Sequence, residues 1–187
     1  MKVRGSALAF MPKCVQKKFG SEGFKRWLSL IPPYARLVYS NSIDPKDWYP
    51  LKELLIQPTA NLLQLFYNWD FQGAWELGRM SAEYSLRGLY KVFFRLNSPG
   101  VLISKASEIL PTYYEPSTMQ LIENSPGLGV VRITRFPEID KILEYRIAGW
   151  MEAAMEISGC TQVRVEIPKS LTQLDPYSEF RVTWKTK

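Results

Sequence analysis

The sequence predicts an α+β fold: an N-terminal helical part packed on a four-stranded antiparallel sheet, with the sheet built by a C-terminal strand-strand-helix-strand-strand unit. Three observations carry this expectation. Apolar residues recur at helical spacing through the first two thirds of the chain. After Pro116 the spacing changes to alternation. One further helical pattern then separates two alternating pairs of segments. With 187 residues, 46% hydrophobic and 13% aromatic, the chain is long enough to close one substantial core, and 1–187 reads as a single domain.

The elements follow in order. "MPKCVQKKFG" is a helix with a glycine stop at Gly20, and "SEGFKRWLSLIPP" starts at Ser21 and stops at Pro32. "WYPLKELLIQPTANLLQLF" opens with Pro50 in a first turn, and Pro58 is expected to divide it into two helical pieces. From Asp70 to Leu96 there is no proline, and the helical period returns. "NSPGVLISKASEILP" is a helix capped at Ser98-Pro99 and closed by Pro111. "TMQLIENSPGLGVVRITRF" reads as two strands about a turn from Asn124 to Gly127. "PEIDKILEYRIAGWMEAAMEISG" places Ile139, Ile142, Leu143, Ile147, Trp150 and Ala154 on one helical stripe, with Gly159 as the stop. In "TQVRVEI" and "SEFRVTW" apolar and charged residues alternate, as in half-buried antiparallel strands.

Charge is unevenly placed. Residues 1–40 hold eight Lys or Arg against the single acid Glu22, while the rest of the chain is close to neutral. Such a basic segment attracts phosphates weakly and in a salt-sensitive way. No base-reading or stacking motif accompanies it, so no specific nucleic acid is expected and a solvated face is the simpler reading. No apolar run is long enough for a transmembrane segment. Cys14 and Cys160 are isolated, which suits a reducing compartment, and a cytoplasmic location is expected.

The chain contains no histidine. That excludes a Ser-His-Asp triad, a His-ligated zinc and an imidazole general base. "GLG" and "SPG" interrupt strand-like sequence and do not open a helix, so neither is a phosphate loop. Nothing in the sequence argues for an enzyme. In "EYSLRGLYKVFFR", Ala82, Leu86, Leu89, Tyr90, Phe93 and Leu96 share one helical face, and Glu83, Arg87, Lys91 and Arg95 another. The apolar face suits either a filled core or the wall of a pocket.

The order of parts and several phrases carry a resemblance: "VRGSALAF", "KKFGSEGFKRWL", "DWYPL", "SAEYSLRGLYKVFFRLNSP", "GWMEAAMEISG" and "SEFRVTW". Together they resemble a bacterial family described as heme-NO-binding-like. It lies within the superfamily of H-NOX gas sensors, 4-vinyl-reductase-type ligand domains and TRAPP subunits. The resemblance implies helices packed on a four-stranded sheet, with an internal apolar cavity that in relatives holds heme, an aromatic effector or an acyl chain. It also implies a homodimer.

Departures from that pattern shape the functional expectation. The heme-ligating histidine of H-NOX domains would fall in "PGVLISKASEIL", which has none. With Gly127-Leu128 as the reference pair, the Tyr-x-Ser-x-Arg propionate clamp becomes Leu121, Glu123 and Ser125. Where 4-vinyl-reductase-like domains carry metal cysteines, this chain has Ser170 and Ser178, flanking Asp175. The cofactor expectation is therefore none, with neither heme nor zinc. The functional expectation is a non-enzymatic sensor or carrier domain for a small apolar, aromatic or acyl ligand. The alternative is an interaction or dimerisation module with a filled core. Candidate ligand-binding residues are Trp75, Tyr84, Tyr90, Phe93, Tyr113, Tyr114 and Trp150, with Arg87 as an anionic anchor. They would surround a pocket of roughly 300 Å³ or more, with room left by Gly73, Gly78 and Ala82.

Overall fold

The computed structural model describes residues 1–87 and 99–186, Arg87 by its backbone alone. Strand β1 (Lys2–Arg4) leads through a single 3₁₀ turn into α1 (Met11–Leu30). Gly20 breaks α1 with φ of 71°, a left-handed value that glycine adopts without a Cβ penalty, so the predicted stop and restart at Gly20-Ser21 is present as a kink. Helix α2 (Pro33–Tyr39) and strand β2 (Trp48–Pro50) follow. β2 pairs with β1, which also pairs with β3 (Tyr114–Glu115), giving a small antiparallel sheet in the order β2-β1-β3. No sequence pattern marks this sheet. Segments of two or three residues are too short to show a period.

Pro58 does not divide the next helix. A π-helical stretch, Lys52–Ile56, runs directly into α3 (Gln57–Phe66), and Leu51, Ile56 and Gln57 all have right-handed helical dihedrals. Proline cannot donate to the carbonyl four residues before it, here Leu54. The Tyr39 hydroxyl donates to that carbonyl instead, at 2.5 Å. The Pro58 carbonyl accepts from Trp27 Nε1 at 2.9 Å. A partner from another helix thus satisfies the group that proline orphans. Tyr39→Phe is expected to cost about 1–3 kcal/mol, since it leaves a buried acceptor without a donor. Urea unfolding of the variant checks this.

Helix α4 (Gln72–Arg87) lies within the proline-free stretch, and α5 (Pro99–Tyr113) continues through Pro111 to the end of its last turn. The predicted closure at Pro111 is therefore two residues early. The main sheet consists of β4 (Thr118–Ser125), β5 (Leu128–Arg135), β6 (Thr161–Lys169) and β7 (Ser178–Lys185), in the order β4-β5-β7-β6 and antiparallel throughout. Gly127, with φ of 80°, supplies the left-handed residue of the Pro126-Gly127 turn between β4 and β5. Helix α6 (Lys141–Ile157) joins the two hairpins. The Asp140 carboxylate caps it by accepting from the Ile142 amide at 2.7 Å, and Gly159, with φ of 99°, ends it.

Alternation along the strands fixes which sheet face is buried. Val131, Ile133, Phe180, Val182 and Trp184 point into the core. Arg181 and Thr134 lie on the opposite, wetter side. That side also carries the Arg132–Glu179 ion pair (2.7 Å) and the stacking of Arg132 on Tyr177. Helices α5 and α6 cover the buried face. The result is the α+β architecture and four-stranded antiparallel sheet that the change of period predicts. Among the described residues no helix is long and apolar enough to cross a membrane.

Candidate functional site

A cavity lies where α4, α5 and α6 meet the inner face of the sheet. Helix α5 contributes Leu102, Ala106, Ile109, Leu110 and Tyr113, which share a face at three- and four-residue spacing. Helix α6 contributes Arg146, Ile147, Trp150, Met151, Ala154 and Met155. Met119 of β4, Val131 of β5, Ala7 and Tyr114 close the floor and one end, and Gly78 and Ser81 of α4 the other. The free volume is about 80 Å³, smaller than the roughly 300 Å³ expected from the resemblance. At about 10–15 Å³ per water-sized probe it admits only a small ligand.

The expected room beside α4 is taken up by close helix packing. A Cβ on Gly78 would lie 2.0 Å from the Arg146 carbonyl oxygen, and one on Gly149 2.0 Å from that of Trp75. Each helix thus offers a glycine to the other's backbone, and a Cβ at either position would clash with it. A Cβ on Gly73 would meet the Tyr67 ring at 2.5 Å. Gly73 and Gly149 allow contact, and Gly78 does so while also standing on the cavity wall; most of that wall comes from α5, α6 and the sheet.

Of the sequence-predicted site residues, Tyr113, Tyr114 and Trp150 come together on the cavity wall. Trp75 sits outside it, donating from Nε1 to Glu152 at 2.8 Å, where Arg79 also pairs with Glu152 and Glu156. Tyr84 is 45% exposed. Tyr90, Phe93 and the Arg87 side chain lie outside the described residues. Leu121 and Glu123, the positions corresponding to the propionate clamp, are exposed on β4, and Ser125 donates to Glu123 at 3.0 Å. The N-terminal cations are largely on the surface; Lys18 pairs with Glu76, Lys25 with Glu22, and Arg4 stacks on Trp48.

Two buried charges on α6 were not among the sequence candidates. Glu144, 2% exposed, accepts hydrogen bonds from Ser170 Oγ (2.6 Å), Thr172 Oγ1 (3.3 Å) and Ser178 Oγ. Ser170 and Ser178, the positions read as replaced metal cysteines, therefore bind a carboxylate of their own chain and fix the β6–β7 connection to α6. Arg146, 3% exposed, donates from Nη1 to Thr59 Oγ1 at 3.2 Å and to the Met11 thioether at 3.6 Å, and its guanidinium lies 5.6 Å from the Phe10 ring centre. Burial pushes this guanidinium below its ordinary value, opposed in part by the nearby Tyr114, Tyr39 and Cys14. Burial in turn raises the phenols of Tyr39 and Tyr114 and the Cys14 thiol. All three are neutral at neutral pH, so none supplies Arg146 with an anion. Of the two, Arg146 sits where the sequence could have shown it. The residues three and four positions either side of Arg146 are Ile142, Leu143, Gly149 and Trp150, none of them a carboxylate.

No family model and no curated protein matches the sequence. Solved structures do match. An H-NOX protein from S. oneidensis in the Fe(II) state superposes with a TM-score of 0.76 at 11% identity, over 98% of this chain and 97% of that one. The Fe(II) unliganded H-NOX protein from K. algicida gives 0.71 at 12% identity, over 98% and 97%. The Fe(II)CO form of an S. oneidensis H-NOX domain gives 0.71 at 13%, over 98% and 99%. These matches overturn the expectation of a cofactor-free domain, because the structures that share this fold are iron-bearing H-NOX proteins. A missing histidine removes one type of iron ligand and no more. Tyr113, Tyr114, Met119, Met151 and Met155 on the cavity wall are phenols and thioethers, donor types that hold heme iron in other proteins. The present volume is far below that of a tetrapyrrole, so admitting one would require the cavity to widen. Along nearly its whole length, the chain has an H-NOX-like fold.

Proposed function

We propose that this protein is a ligand-sensing or carrier domain that takes a small, largely apolar molecule into the cavity between α5, α6 and the sheet. The observation that supports it most is the wall itself: aliphatic and aromatic side chains, three thioethers and few polar groups. Methionines adapt to ligand shape and make favourable contacts with aromatic rings, which favours a compact aromatic ligand. The H-NOX neighbours, solved as Fe(II), Fe(II)NO and Fe(II)CO forms, are consistent with small-molecule capture in this fold. Unpaired Cys14 and Cys160 accord with a cytoplasmic setting, and the whole chain acts as one domain in this reading. Thermal unfolding with a panel of small aromatic and acyl compounds tests it. A ligand at about a hundred times its Kd adds about 2.7 kcal/mol, expected to raise Tm by about 5–10 °C for a chain of this size. No shift with any member of the panel would count against the reading.

A second reading, a homodimerising interaction module, draws on exposed apolar side chains at the α1–α2 junction: Leu30 (49%), Tyr34 (43%) and Leu37 (63%). Sedimentation at about 100 μM, high enough to reveal weak pairing, separates the two: a clean monomer there removes the dimer.

A further inference from the structure

We propose that Arg146 is the counter-ion for a carboxylate on the apolar ligand; the inference rests on the ligand-binding reading above and names the ligand's chemistry. A guanidinium carries five N–H donors and a permanent charge, and burying it without an anion is costly. Here Arg146 is 3% exposed as a residue and is one of the residues that line the cavity. Its polar contacts are a hydroxyl, a thioether and a ring face, all neutral. Nη1 alone hydrogen-bonds to the described residues. No described carboxylate forms an ion pair with Arg146. Residues 88–98, outside the description, include no Asp or Glu. Glu144, the other buried charge of α6, is engaged by three hydroxyls. Among the described residues, the chain therefore buries a cation beside an apolar cavity and supplies no anion for it. A carboxylate entering with an apolar body would meet the unused donors in a two-point geometry, while Trp150, Tyr113 and the methionines receive the body.

Two sources share this chemistry, a small aromatic acid and the propionate of a porphyrin, and the titrations distinguish them. Benzoate, benzyl alcohol (its neutral counterpart in shape) and hemin are each titrated by calorimetry into wild type, Arg146→Met and Arg146→Lys. Wild type is expected to bind benzoate roughly tenfold to a hundredfold tighter than benzyl alcohol, the worth of hydrogen bonds to a charged group. Arg146→Met should lose that preference and keep its affinity for benzyl alcohol, and ligand-free it should melt higher than wild type, because it no longer buries an uncompensated cation. Arg146→Lys keeps the charge without the fork and should retain only part of the preference, which preserves the test if the methionine variant does not fold. Hemin binding lost in Arg146→Met, with benzoate silent, would assign the carboxylate to a porphyrin. Benzoate binding equally to wild type and both variants, or benzyl alcohol binding while benzoate and hemin do not, would overturn the Arg146 assignment and leave the cavity reading standing. No binding of any of the three to wild type would overturn both.

Discussion

Gly78→Ala is expected to destabilise the protein by about 3 kcal/mol, the upper end of what overpacking usually costs. The added Cβ would sit 2.0 Å from the Arg146 carbonyl oxygen and 2.8 Å from its carbon. Both are backbone atoms, so no side-chain rotation relieves the clash, and α4 and α6 must separate by more than an ångström. Separation strips contacts along the whole crossing, including the reciprocal contact of Gly149 with Trp75. Gly149→Ala should cost about as much, and the double variant less than the sum, because one separation accommodates both methyl groups. Gly100→Ala is the control. Its Cβ would lie 3.4 Å from an Asn124 side-chain atom, an ordinary contact, and alanine is the better helix former. Urea unfolding that gives Gly78→Ala and Gly100→Ala the same midpoint would contradict this account of the α4–α6 contact.

Glu144→Ala is expected to cost about 3 kcal/mol, since hydrogen bonds to a charged group are each worth roughly 1.5–3 and are not additive. The carboxylate collects hydroxyls from Ser170, Thr172 and Ser178, and the Ser170 and Ser178 hydroxyls also accept from the Thr172 and Leu171 amides. Removing it leaves buried hydroxyls facing a void and releases the β6–β7 connection from α6. Ser178→Ala removes one donor and should cost less than half as much. Hydrogen exchange would localise the effect: amides of 170–178 should lose protection in Glu144→Ala while those of α1 do not. Uniform loss of protection would mean that Glu144 supports the whole fold and not this connection.

Wherever a local rule sufficed, the fold was legible in the sequence. Gly20, Gly127 and Gly159 mark a kink, a turn and a helix end because each adopts a positive φ. The α6 stripe from Ile142 to Ala154 and the alternation in β7 need only a period. Pro58 misled for a reason that lies outside its own helix. Proline's effect on a helix depends on whether something else satisfies the carbonyl it orphans, and at Pro58 that partner is Tyr39, from a different helix. Part of the site was legible too: Tyr113, Tyr114 and Trp150 stand on aromatic positions of α5, its end and α6 that the sequence marks. Arg146 interrupts an apolar stripe with no carboxylate three or four residues away to pair with, a signal the sequence holds; Glu144 has Lys141 three residues before it, so the sequence alone suggests an ordinary surface pair there. The cofactor expectation failed differently. It treated the loss of a known ligand set as the loss of the cofactor, whereas a fold can hold iron through other donors.

Anomalous diffraction from crystals grown with 4-bromobenzoate tests most directly whether a small apolar acid enters the cavity with its carboxylate against Arg146. The predicted result is a bromine peak among Leu102, Met119 and Met155, with carboxylate oxygens about 3 Å from the Arg146 nitrogens, and loss of that peak in Arg146→Met crystals. A bromine peak only on the protein surface, or side chains of α5 and α6 closed together over an empty space, would contradict it.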